Sequence, residues 1–102
     1  MSRREQLEEM LAGDPTDTFL RYALAIEFEN EEEHERSLEL HRELMNDEPP
    51  YVPSYFMSGQ QLANADRIEE AIAVLKKGIE QADLQGDTHA ASEMRGFIET
   101  LE

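Results

Sequence analysis

This chain contains no cysteine and no tryptophan. Without cysteine it has no disulfide, no thiolate nucleophile and no sulfur ligand for a metal, a pattern that suits a reducing compartment. Valine is scarce and no alternating β-branched run occurs, which argues against strands. No stretch approaches the roughly 20 apolar residues of a membrane span. Met1-Ser2-Arg3-Arg4 leads into Glu5-Gln6-Leu7-Glu8-Glu9, with no apolar core behind the basic pair. No signal peptide is therefore expected, and the expected location is cytoplasmic. Positive charge is also short: 9 Lys and Arg stand against 24 Asp and Glu, a formal net charge of -15. Such a surface repels phosphate backbones and anionic headgroups, so nucleic acid and membranes are disfavoured and a neutral or basic partner is favoured. The same acid also serves plain solubility.

What the chain does have is helix-forming residues. Ala, Leu, Glu, Gln, Met and Arg dominate its 102 residues, enough for one small domain. The expected class is all-α, with about six helices. Arg4 to Ala12 reads as a short helix, with Leu7, Met10 and Leu11 on one face, stopped by Gly13 and turned by Asp14-Pro15. Asp17 is the expected cap of a helix from Thr18 to Asn30. The acids Glu31-Glu32-Glu33 form an exposed corner and open a helix from His34 to Asn46, which Pro49 ends. Pro53 sits in the first turn of a helix reaching Asn64. Asp66 is the expected cap of the next, which runs from Ile68 to Gln85 with Gly86 as its stop. Asp87 or Thr88 then opens a last helix to Leu101.

A repeat underlies this order. Moving back 34 residues from the stretch Pro49 to Gly78 sets Pro49 on Pro15, Gly59 on Ala25, Leu62 on Phe28 and Ala71 on Ser37. Leu7, His41 and Leu75 fall in the same register. Apolar meets apolar and small meets small, as in a repeated helix-turn-helix unit. In that register Leu62 maps to Gly96, so the repeat has lapsed by the last helix, which reads as a terminal cap. The expected division is an N-terminal half-repeat over residues 1–13, repeats over 14–47 and 48–86, and a capping helix over 87–102.

The spacing resembles the tetratricopeptide repeat family. The second copy carries Tyr55 as the leading aromatic, then Gly59, Leu62, Ala71, Leu75 and Gly78, with Ser58 where Leu is usual. The first carries Leu24, Ala25, Phe28, Ser37, His41 and Leu44 and closes on Pro49, with Arg21 in place of the aromatic and Leu44 in place of a small residue. The match covers Asp14 to about Gln81. The resemblance implies a right-handed superhelix of antiparallel helix pairs, a scaffold whose first helices line a concave groove and bind protein partners without catalysis.

On that implication the groove would hold Phe19, Tyr22, Ile26 and Asn30 from one helix and Phe56, Met57, Gln60 and Asn64 from the other. This is an apolar patch with amide ends. The family's two-carboxylate clamp needs Lys and Asn where Tyr22, Ile26 and Met57 stand, so acidic tails are not expected in this groove. Two other readings stay open. Phe19, Tyr22 and Phe56 would serve equally as core, packing the first helices together or against the last one. They would also serve as the interface of a homodimer, since two repeats fall short of the about three that a solenoid needs.

No chemistry is legible beyond this. His34 and His41 lie seven residues apart, too far along a helix for one ion, and Leu38 stands where a zincin would have its second His. The Glu31–Glu35 cluster lacks the pattern of a calcium loop. No phosphate loop or nucleophile elbow occurs. The expectation is a non-enzymatic module with no cofactor and no metal.

Overall fold

Side-chain capping sets where three of the six helices begin. The computed structural model describes residues 1–102 and contains α1 (Arg3–Gly13), α2 (Thr18–Asn30), α3 (His34–Met45), α4 (Val52–Asn64), α5 (Ile68–Leu84) and α6 (Thr88–Leu101). Ser2 opens α1 with a reciprocal box, its hydroxyl accepting the Glu5 N–H while the Glu5 carboxylate accepts the Ser2 N–H. Asp17 opens α2 by accepting the Leu20 N–H at 2.8 Å, and Asp87 opens α6 by accepting the Ala90 N–H at 3.1 Å. α4 relies instead on Pro53 in its first turn, where the missing N–H has no helical partner to lose.

Three helices end in one motif. After α2, α4 and α5, a residue with positive φ turns the chain: Glu32 (63°), Asp66 (63°) and Gly86 (76°). The next N–H reaches back to a carbonyl in the last turn. Glu33 donates to Phe28, Arg67 to Leu62 and Asp87 to Ala82, each at 2.8 Å. This corrects the expectation for Asp66. It is the left-handed residue that closes α4, and Arg67 takes the position before α5 without a side-chain cap. Gly13 likewise does not stop α1 but lies inside it, and Asp14 forms the cap.

Each helix packs on its chain neighbours, and α4 also touches α6. The largest core cluster joins Val52, Tyr55, Leu75, Ala82, Ala91, Met94 and Ile98 from α4, α5 and α6. A smaller one joins Leu7, Leu24 and Phe28 from α1 and α2, and a third joins Leu38, Leu62 and Ala71. Leu7, His41 and Leu75, which share one register, are all buried. Full burial of a side chain such as Leu75 contributes about 1.5–3 kcal/mol. α4 and α5 approach closely because Gly59 and Gly78 carry no side chain. A Cβ on Gly59 would lie 2.6 Å from Leu75, and one on Gly78 would lie 2.5 Å from the Tyr55 Cβ.

Polar atoms also sit in this interior. The Ser37 hydroxyl donates to the Ala25 carbonyl at 2.6 Å and accepts from the Gln61 amide at 3.0 Å, linking α2, α3 and α4. His41 Nδ1 lies 3.0 Å from the Ser54 hydroxyl. These bonds offset the cost of burying the groups, although Gln61 Oε1 and His41 Nε2 have no partner.

The spacing of the helices changes along the chain. α2 and α4 start 34 residues apart, at Thr18 and Val52, whereas α4 and α6 start 36 apart, at Val52 and Thr88. In the longer spacing Tyr55 and Leu62 correspond to Ala91 and Ile98, and all four are buried.

Candidate functional site

α2, α4 and α6 together wall a cleft of about 270 Å³. α2 supplies Tyr22. α4 supplies Val52, Pro53, Phe56, Met57 and Gln60, and α6 brings His89, Ala90, Glu93 and Met94, with Asp87 at its start. Helical spacing explains the α4 wall, since Pro53, Met57 and Gln60 fall on one side at about 100° per residue.

Aromatic contacts hold the walls. Tyr22 meets the Tyr51 ring edge-on at 5.2 Å and the His41 ring at 5.7 Å. Phe56 meets Phe97 of α6 edge-on at 5.9 Å. Such contacts add about 0.5–1.5 kcal/mol each beyond burial. Tyr22 and Phe56 therefore do two jobs, packing on one side and lining the cleft on the other. Burial, with a smaller push from Tyr51, raises the Tyr22 phenol, which keeps it neutral.

Four of the eight expected groove residues meet here: Tyr22, Phe56, Met57 and Gln60. The other four stand apart from it. Phe19 is 70% exposed at the start of α2, Ile26 is half-buried, and Asn30 and Asn64 are exposed at the ends of their helices. The α6 residues were missing from the expected groove because the 34-residue register placed that helix as a cap. Ala90, Met94 and Phe97 at helical spacing were its only signal.

The acids of the cleft are Asp87 and Glu93, the latter 3.3 Å from His89. With Gln60 they give an apolar slot with hydrogen-bonding and negative edges. A wider depression of about 760 Å³ runs along the starts of α2 and α4. Its one cation, Arg21, is already bonded to Asp47 and to the Thr16 carbonyl, and prolines and polar groups form most of its wall. The histidines do not converge on an ion. His34 is exposed and paired with Glu29, while His41 is buried against Ser54. No helix is long and apolar enough to cross a membrane.

Antiparallel helices in chain order, with a side cleft walled by alternate helices, define an α-helical repeat scaffold of the kind that serves as a protein-interaction module. The chain belongs to the tetratricopeptide repeat family. The tetratricopeptide repeat domain protein from Salinibacter ruber is 35% identical over 86% of this chain and 89% of its own, with a TM-score of 0.80. A protein from Bordetella parapertussis shares the fold, with a TM-score of 0.83 over 99% of this chain and 88% of its own at 24% identity. No protein-family model and no curated protein matches the chain.

Proposed function

We propose that this chain is a non-catalytic adaptor that binds a neutral or basic peptide segment in the cleft between α2, α4 and α6. One observation carries the reading: apolar Tyr22, Phe56 and Met57 line one cleft together with Gln60 of α4 and the Asp87 and Glu93 carboxylates at α6. An apolar side chain of the partner fills the slot, Gln60 bonds its backbone, and a Lys or Arg beside it meets the acids. Met57 adapts to the shape of the incoming side chain. Self-association through the same cleft is the alternative, and the net charge of -15 opposes it by setting like surfaces together. Cytoplasmic residence accords with the absence of cysteine.

The test is a ¹H–¹⁵N titration with a capped pentapeptide of alternating lysine and leucine. The expected result is saturable shifts at Met57, Gln60, Ala90 and Glu93, weakened in a Met57→Lys/Glu93→Lys variant. Shifts spread evenly over the acidic surface, or unchanged by that variant, would overturn the reading.

A further inference from the structure

The few cations of this acidic chain are unevenly used. Arg4, Arg21, Arg67 and Arg95 each hold an ion pair with a carboxylate. Arg36 lies over the Phe28 ring, 4.4 Å from its centroid. Arg3, Arg42, Lys76 and Lys77 have neither kind of partner, although the sequence offers 24 acids. Two of these four line one notch.

That notch holds about 370 Å³ between the end of α3 and the middle of α5. Its wall is Arg42, Met45, Asn46, Tyr55, Val74 and Lys77. No acid lines it, whereas the cleft and the wide depression described above each carry carboxylates. Tyr55 lies on the side of α4 opposite Pro53, Met57 and Gln60, so the notch opens away from the cleft. Its floor is apolar: Tyr55 is buried, Met45 and Val74 are half-buried, and the Tyr55 hydroxyl donates to the Met45 carbonyl at 3.4 Å. Two exposed cations from different helices thus flank an apolar floor with no acid between them.

We propose that this notch docks an acidic peptide segment. One apolar side chain of the segment enters between Met45, Tyr55 and Val74, and carboxylates on either side of it meet Arg42 and Lys77. Charge complementarity selects this occupant. Screening confines interactions between exposed charges to about 8 Å at physiological salt, so the segment responds to the local pair of cations more than to the net charge of the whole molecule. Arg42 is suited to a forked carboxylate contact, and Lys77 adds a mobile point charge. The occupant differs in sign from that of the cleft, and neither site depends on the other for its argument.

The experiment is a ¹H–¹⁵N titration of the full chain with a capped pentapeptide of alternating glutamate and leucine. The lysine–leucine peptide and inorganic phosphate serve as separate probes, and a dilution series is run without peptide. The expected result is saturable shifts confined to Met45, Asn46, Val74 and Lys77. Binding should fall about tenfold in an Arg42→Ser/Lys77→Ser variant, which loses two exposed ion pairs and leaves the core alone. The proposal is overturned by an absence of saturable shifts, or by binding unchanged in the variant. Equal shifts from the lysine peptide would overturn it too. Phosphate reproducing the shifts would make the notch a simple anion site. Concentration-dependent shifts at these amides without peptide would make the occupant a second copy of the chain.

Discussion

Glu32 and Asp66 hold the same left-handed backbone, φ 63°, at equivalent turns after α2 and α4. The third such turn uses Gly86. A side chain in this region costs about 1–2 kcal/mol, less for Asp than for Glu. Neither residue's side chain forms a hydrogen bond or ion pair that would offset the strain. Glu32→Gly is expected to stabilise the fold by about 1 kcal/mol and Asp66→Gly by about half as much, the gain being trimmed by the wider freedom of glycine in the unfolded chain. Urea midpoints should rise with unchanged slopes, and the two gains should add.

Three helical glycines should respond to alanine in different ways. Gly96 has nothing within 4 Å of an added Cβ, so Gly96→Ala should stabilise by about 1 kcal/mol through helix propensity alone. At Gly59 the added carbon meets Leu75, a buried side chain that has to shift, and the propensity gain is cancelled or reversed. At Gly78 it meets the Tyr55 Cβ and the Met94 sulfur, at 2.5 and 2.6 Å. The Tyr55 Cβ moves only with its backbone, so Gly78→Ala should cost about 1–3 kcal/mol. Thermal melts of the three variants should rank Gly96→Ala above Gly59→Ala above Gly78→Ala.

Acid should unfold the protein partly through His41. Burial holds this imidazole down at about 4, against 6.5 when it is exposed. Between those values the unfolded chain binds a proton that the folded chain refuses. The stability due to neutral His41 is therefore full above pH 6.5 and is lost as the pH falls toward 4. The loss from pH 7 to pH 5 should be about 2 kcal/mol. His34 acts in the opposite sense, because its bond to Glu29 raises it, and that contribution fades as the pH rises. The measurement is the difference in urea stability between the native chain and His41→Gln at the two pH values. A parallel pH response in both proteins would remove His41 from the account.

Ser37→Ala tests the buried polar link. Ala71 occupies the corresponding position in the second repeat, so this change looks harmless from the sequence. In the fold it leaves the Gln61 amide without its acceptor. The expected cost is about 1–3 kcal/mol. Adding Gln61→Leu should restore most of it, because both polar partners are then gone. A double-mutant cycle by chemical denaturation measures the coupling.

The helices were legible where one residue declares a boundary, as Asp17, Pro53 and Asp87 do. The close approach at Gly59 was legible because Ala25 stands in the same register. The left-handed backbone at Glu32 and Asp66 was not, since the charged side chains there disguise positions that favour glycine. Asp66 reads naturally as a cap, and only the backbone shows otherwise. Half of the cleft was legible from Tyr22, Phe56, Met57 and Gln60. Its α6 wall was hidden by the change from 34 to 36 residues between helix starts, which moves Ala91 and Ile98 onto the positions of Tyr55 and Leu62. The notch was invisible for a different reason. Arg42 and Lys77 come from different helices, and each alone reads as an ordinary solvated cation.

α4 is the party wall between the cleft and the notch, with Met57 on one side and Tyr55 on the other. Gly59 and Gly78 let α4 and α5 lie so close that an added Cβ would come within 2.6 Å of Leu75 or 2.5 Å of the Tyr55 Cβ. A sideways displacement that opened one recess would close the other. Two ligands that never touch would then be antagonists, each loosening the other's grip by the same factor.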